Sequence, residues 1–145
     1  MKENVFLQNI EKLNSLMNAG RFAEGTSLCR MLLADVNFLS VQAVSDDVRR
    51  RLYQMNAVIV IEQGHKELAV EAIDLLDIYA DDAYCNFLKA RLYWLLEKQF
   101  QALLALESYY KIKASGNSLR FDKQSKLFAL DGNMRQRVLN FLGNI

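Results

Sequence analysis

The chain is 145 residues long, 52% hydrophobic and 24% charged, which suits one soluble domain whose apolar core needs no metal or disulfide staple. A formal net charge of +1 excludes a strong overall pull toward nucleic acid or anionic membranes. Cys29 and Cys85 lie in apolar-periodic segments, so buried reduced thiols are expected rather than a disulfide.

The opening stretch, MKENVFLQNIEKLNSL, carries Glu3 and Glu11 among its apolar residues and lacks the unbroken apolar run and small-residue cleavage site of a secretory signal. No charge-free run reaches the length of a membrane span, and a cytoplasmic location is the expectation. There is no proline, and Gly20, Gly25, Gly64, Gly116, Gly132 and Gly143 fall mostly where periodic segments break. A strand-rich domain would need more turn punctuation, so an all-α chain is predicted.

Ile10, Leu13 and Met17 recur at helical spacing and stop at Asn18-Ala19-Gly20, after which Phe22, Leu28, Met31 and Leu32 begin a second helix. Ser45, followed by Asp46 and Asp47, reads as an N-cap with first-turn carboxylates, and Val48, Leu52, Met55 and Ile59 continue along one face. That helix runs into AVIVI, residues 57–61, whose β-branched side chains favour strand locally.

An internal repeat outweighs that preference. One shift carries Ala57 onto Ala90, Val60 onto Tyr93, Ile61 onto Trp94, Ala69 onto Ala102, Ile73 onto Leu106 and Leu76 onto Tyr109. The second copy, KARLYWLLEKQFQALLALESYY, is good helix and poor strand. A shared structure therefore makes AVIVI helical and puts Gly64 in a helix-to-helix turn. A looser copy surrounds Gly20, with Phe22 two residues after the glycine and Gly25 five after it, much as Ala69 follows Gly64.

These residues resemble the tetratricopeptide repeat, a helix-turn-helix unit of about 34 residues. The resemblance implies a right-handed stack of antiparallel helix pairs, about three degenerate units over residues 6–111 of a single domain spanning 1–145. Ala57, Gly64 and Ala69, then Ala90, Glu97 and Ala102, would permit close helix packing. Glu97 departs from the family's turn glycine, no unit ends in its proline, and an insertion separates the first copy from the second. Residues 112–145 read as a C-terminal cap: IKASGNS a loop, then helices over LRFDKQSKLFALDG and NMRQRVLNFLGNI. Phe121, Leu127, Phe128, Leu130, Val138, Leu139, Phe141 and Leu142 would cover the open end of the stack.

His65 is the only histidine, which leaves no second imidazole for a triad, a dyad or a histidine-rich metal site. Between Gly64 and Lys66 it reads as a solvated turn residue. EQGHKE lacks the glycines and the Lys-Ser/Thr pair of a phosphate loop. The chain is accordingly expected to be no enzyme and to carry neither cofactor nor metal. Glu67, Glu71, Asp74, Asp77 and Asp81 share a helix face, either a solvated surface or a docking face for a basic partner. Lys111, Lys113, Arg120, Lys123, Lys126, Arg135 and Arg137, interleaved with Phe121 and Phe128, offer the alternative of a nucleic-acid-associated regulatory surface.

The segment AYCNFLKARLYWLLEKQF is apolar on nearly all sides, so its helix is either wholly buried or keeps one face for a partner. In tetratricopeptide arrays the first helix of each unit lines a groove that takes peptides. Carried over through Ala57 and Ala90, the resemblance implies a groove of Arg51, Gln54, Val58 and Ile61, then Tyr84, Phe87, Arg91 and Trp94. Such a groove suits an amphipathic helix bearing a carboxylate or two. The short length, the degenerate repeats and LNSLMNAGRFAEG are also similar to the small tetratricopeptide-like chaperones of bacterial type III secretion, which implies a chaperone or adaptor for a secreted subunit. Surplus apolar surface predicts self-association when the chain is alone.

Overall fold

The computed structural model describes residues 3–36 and 44–114, and among these every regular element is an α-helix. In chain order they are α1 (Glu3–Asn18), α2 (Phe22–Val36), α3 (Asp46–Gln63), α4 (Lys66–Asp77), α5 (Ala83–Leu95) and α6 (Gln99–Ala114). None of the described helices is long and apolar enough to cross a membrane. The chain divides into two compact units, residues 1–75 and 76–145.

In the first unit α1 packs on α2 and α2 on α3. α1 buries Phe6, Ile10 and Leu13; α2 buries Cys29, Leu32, Leu33 and Val36; α3 buries Leu52, Tyr53, Met55, Ala57, Ile59 and Val60. Gly25 marks the crossing, since a Cβ built there would lie 3.4 Å from Leu13 Cδ1 on α1 and 3.5 Å from Ile59 Cδ1 on α3. α3 starts where its cap signal stands: Ser45 Oγ accepts the Val48 N–H at 3.3 Å, and Asp46 and Asp47 occupy the first turn. AVIVI is helical throughout. The magnitudes explain why tertiary burial overrides local preference: Val and Ile each lose a few tenths of a kcal/mol in helix propensity, whereas burying each side chain contributes about 1.5–3 kcal/mol.

In the second unit α5 and α6 lie closely side by side. Ala83 and Ala90 on α5, with Ala102 and Ala105 on α6, are buried small residues of the kind that lets two helix backbones approach. Phe87, 2% exposed, packs on Tyr109 with ring centroids 5.4 Å apart. α5 is capped by Asp82, whose Oδ2 accepts the Cys85 N–H at 2.9 Å. Behind that cap the buried Asn86 donates from Nδ2 to the Ala80 carbonyl at 2.7 Å and the Asp82 carbonyl at 2.9 Å, tying the preceding turn to the helix. α6 continues through Ile112 to Ala114, where a loop was expected. Ile112 extends the face of Ala105 and Tyr109 at helical spacing, and no glycine interrupts before Gly116. The rest of the expected cap, from residue 115, lies outside the described residues.

The connections after α1, α3 and α5 use one device. Gly20, Gly64 and Glu97 all have positive φ, at 73°, 65° and 60°. Each donates its N–H to the carbonyl three residues back, Met17, Ile61 and Trp94 respectively. The following residue donates five back: Arg21 to Leu16 at 2.8 Å, His65 to Val60 at 3.0 Å and Lys98 to Tyr93 at 2.9 Å. This pair of bonds is the Schellman arrangement, which satisfies carbonyls a helix end would otherwise leave open. The same residues then open the next helix, since the Arg21, His65 and Lys98 carbonyls accept from Gly25, Leu68 and Ala102. Gly25, Ala69 and Ala102, each five residues past the left-handed position, are all buried.

Candidate functional site

The residues expected to line a groove fall into two sets, one in each unit. Arg51, Gln54, Val58 and Ile61 follow one face of α3, where Arg51 is exposed, Val58 and Ile61 are half-buried and Gln54 is buried. Tyr84, Phe87, Arg91 and Trp94 follow one face of α5, where Tyr84, Arg91 and Trp94 are half-buried and Phe87 is buried. Phe87 is held between rings, with Tyr84 stacked on one side at 6.4 Å and an interplanar angle of 13°, and Tyr109 tilted on the other. Tyr110 continues the aromatic series beyond Tyr109 at 5.1 Å. Arg51, Val58 and Ile61 on α3, and Tyr84, Arg91 and Trp94 on α5, are thus the members with surface to offer.

The first unit also holds a cleft of about 310 Å³ lined by Arg30, Leu33 and Ala34 of α2, Tyr53 of α3, and Glu71 and Leu75 of α4. Its apolar floor is spanned by a forked ion pair, Arg30 Nη1 donating to Glu71 Oε1 at 2.7 Å and Nη2 to Oε2 at 3.2 Å. The hydrogen bond from Arg30, reinforced by its charge, holds the Glu71 carboxyl below the usual carboxylate range against a smaller opposing effect of burial. Glu71 in turn raises the Arg30 guanidinium. With both side chains 40–48% exposed, solvent screening keeps the pair to a fraction of its apparent strength. Sequence reading placed Glu71 on an acidic face but missed Arg30 as its partner, because the two are 41 residues apart in the chain.

Beside Arg30, burial pushes the Cys29 thiol up to about 12, with Arg30 opposing and Glu71 adding to the shift. A thiol held protonated at neutral pH is a packing group, not a nucleophile. Both cysteines are buried thiols outside any disulfide, as expected. His65 is half-buried, and its Nδ1 lies 3.2 Å from Glu67 Oε1. The acidic face of α4 is exposed at Glu67, Glu71 and Asp74. Lys89 closes on Asp77 Oδ1 at 2.5 Å. Of the basic series, Lys111 is exposed and pairs with Glu107 at 2.8 Å, Lys113 falls at the end of α6, and Arg120, Lys123, Lys126, Arg135 and Arg137 lie outside the described residues. No protein-family model matches this chain, and neither a curated protein nor a solved structure does.

Proposed function

We propose that this chain is a non-catalytic protein–protein interaction module built from tetratricopeptide-like helix pairs, a chaperone or adaptor that takes up an amphipathic helix of a partner such as a secreted subunit. The observation that carries the reading is the recurrence of one turn, a left-handed residue at Gly20, Gly64 and Glu97 followed five positions later by a buried small residue. The resemblance implies that the first helix of each pair turns one face to a groove. On α5 that face offers the aromatic rings of Tyr84 and Trp94 flanking Arg91, half-buried and therefore partly prepaid in ordering. Aromatic rings and arginine are the side chains on which binding energy most often concentrates.

The test places a photo-crosslinking phenylalanine analogue at Tyr84 or Trp94 in the native host, with and without Arg91→Glu. A protein interaction face predicts one recurring adduct that the charge reversal weakens while the circular dichroism melt stays close to wild type. Adducts that are absent, or identical with Arg91→Glu, overturn the assignment of this face. The melt also guards against misreading a folding defect as lost binding.

A further inference from the structure

With Gln54, Asn56 is one of the two buried polar residues of α3. It is 2% exposed; its Oδ1 accepts the Cys29 thiol at 3.6 Å, and its Nδ2 has no hydrogen-bond partner. Turning the amide end for end leaves the oxygen unpartnered instead. One end goes unsatisfied in either orientation, which costs stability that an apolar residue of similar shape would not.

What the amide supplies is a mark of position. The buried stripe of α2 is Gly25, Cys29, Leu32, Leu33 and Val36, and the buried residues of α3 besides Asn56 are Leu52, Tyr53, Gln54, Met55, Ala57, Ile59 and Val60. Two such stripes repeat every three or four residues, so they pack almost as well when one helix slides by a turn, about 5.4 Å. After a slide Asn56 would face Gly25 or Thr26 in one direction and Leu32 or Leu33 in the other. Of these only Thr26 has a side chain that can hydrogen-bond; it is half-buried, outside the buried stripe, and its hydroxyl already donates to the Phe22 carbonyl at 3.0 Å. Opposite Cys29 the amide keeps a partner that lies within the buried stripe itself. We infer that the Asn56–Cys29 pair is a register device, which sets how α2 mates with α3 at some expense of stability, as a single buried asparagine does between other paired helices.

Nitroxide labels at Ser27→Cys and Arg51→Cys, both exposed positions on α2 and α3, read the register as a distance by pulsed electron resonance, because the native thiols are buried. The parent gives a single distance. Asn56→Leu raises the Tm and adds a second distance displaced by about 5 Å, one helical turn. Cys29→Ala, which keeps the amide but removes its partner, lowers the Tm and also adds the second distance, and Cys29→Ser restores the single one. If Asn56→Leu and Cys29→Ala both keep the parent distance distribution, whatever their stability, the pair does not set the register. Should Asn56→Leu fail to fold, the distance in Cys29→Ala decides alone.

Discussion

The α3–α4 and α5–α6 connections turn through the same backbone geometry with different residues at the turn. Gly64 holds φ at 65° and Glu97 at 60°, and both close the preceding helix with the same two backbone hydrogen bonds. Glycine enters the left-handed region freely, whereas an L side chain there costs about 1–2 kcal/mol. That Glu97 adopts it shows that the paired bonds and the flanking helices dictate the turn, and that glycine only makes it cheaper. The cores behind the turns differ too. α3 buries mostly aliphatic side chains with Tyr53, Gln54 and Asn56, while α5 and α6 bury Phe87 and Tyr109 against each other amid alanines and leucines.

The aromatic pair is where the second hairpin is easiest to break. Phe87→Ala should cost about 3–5 kcal/mol, read as a lower midpoint in urea or heat, and the half-buried Trp94 should cost less when truncated in the same way. A Phe87 variant that melts like the parent would return this residue to the binding face. Exchanging the turn residues sharpens the comparison at the next level down. Gly64→Glu should lose about 1–2 kcal/mol through backbone strain alone, because a Cβ there meets nothing within 4 Å. Glu97→Gly should gain about 0.5–1 kcal/mol, the relief being partly offset by the greater freedom of glycine in the unfolded chain. Opposite signs in paired denaturation curves are the expected result.

Both first helices carry an N-cap, so Ser45→Ala and Asp82→Ala should each cost about 1 kcal/mol. Amide exchange should speed up at Val48 and Cys85, whose N–H groups the caps accept, and Asp82→Asn should retain most of the protection. The smallest effect belongs to the Arg30–Glu71 pair, half-exposed and worth less than about 1 kcal/mol. Because the folded state depresses the Glu71 carboxyl, the pair's contribution is present above the unfolded value of about 4.3 and disappears as pH falls through the lower folded value. The stability difference between the parent and Arg30→Gln should accordingly vanish in acid, measured by urea titration from neutral pH downward.

The parts of this fold that are local were legible in the residues. Asn18-Ala19-Gly20 and Gly64 announce their turns because glycine is the inexpensive occupant of a left-handed position, and Ser45 with its two aspartates announces a helix start. Asp82 offers the same kind of signal, but without first-turn carboxylates behind it. Glu97 gave no sign of its conformation except through the copy of the repeat that carries Gly64.

The sequence by itself determined that the described residues are helical, that turns fall at Gly20 and Gly64, and which alanines recur, since helical periodicity and end chemistry act over a few residues. It determined the fate of AVIVI only through comparison with a second segment, because β-branched residues take whichever structure buries them. The tertiary structure decided the rest: that Gln54 and Phe87 are buried, that Arg30 meets Glu71, and that Asn56 meets Cys29. A helix that is apolar on most sides gives no internal indication of which side is covered. That depends on the elements packed against it, and contacts between residues far apart in the chain have no local signature.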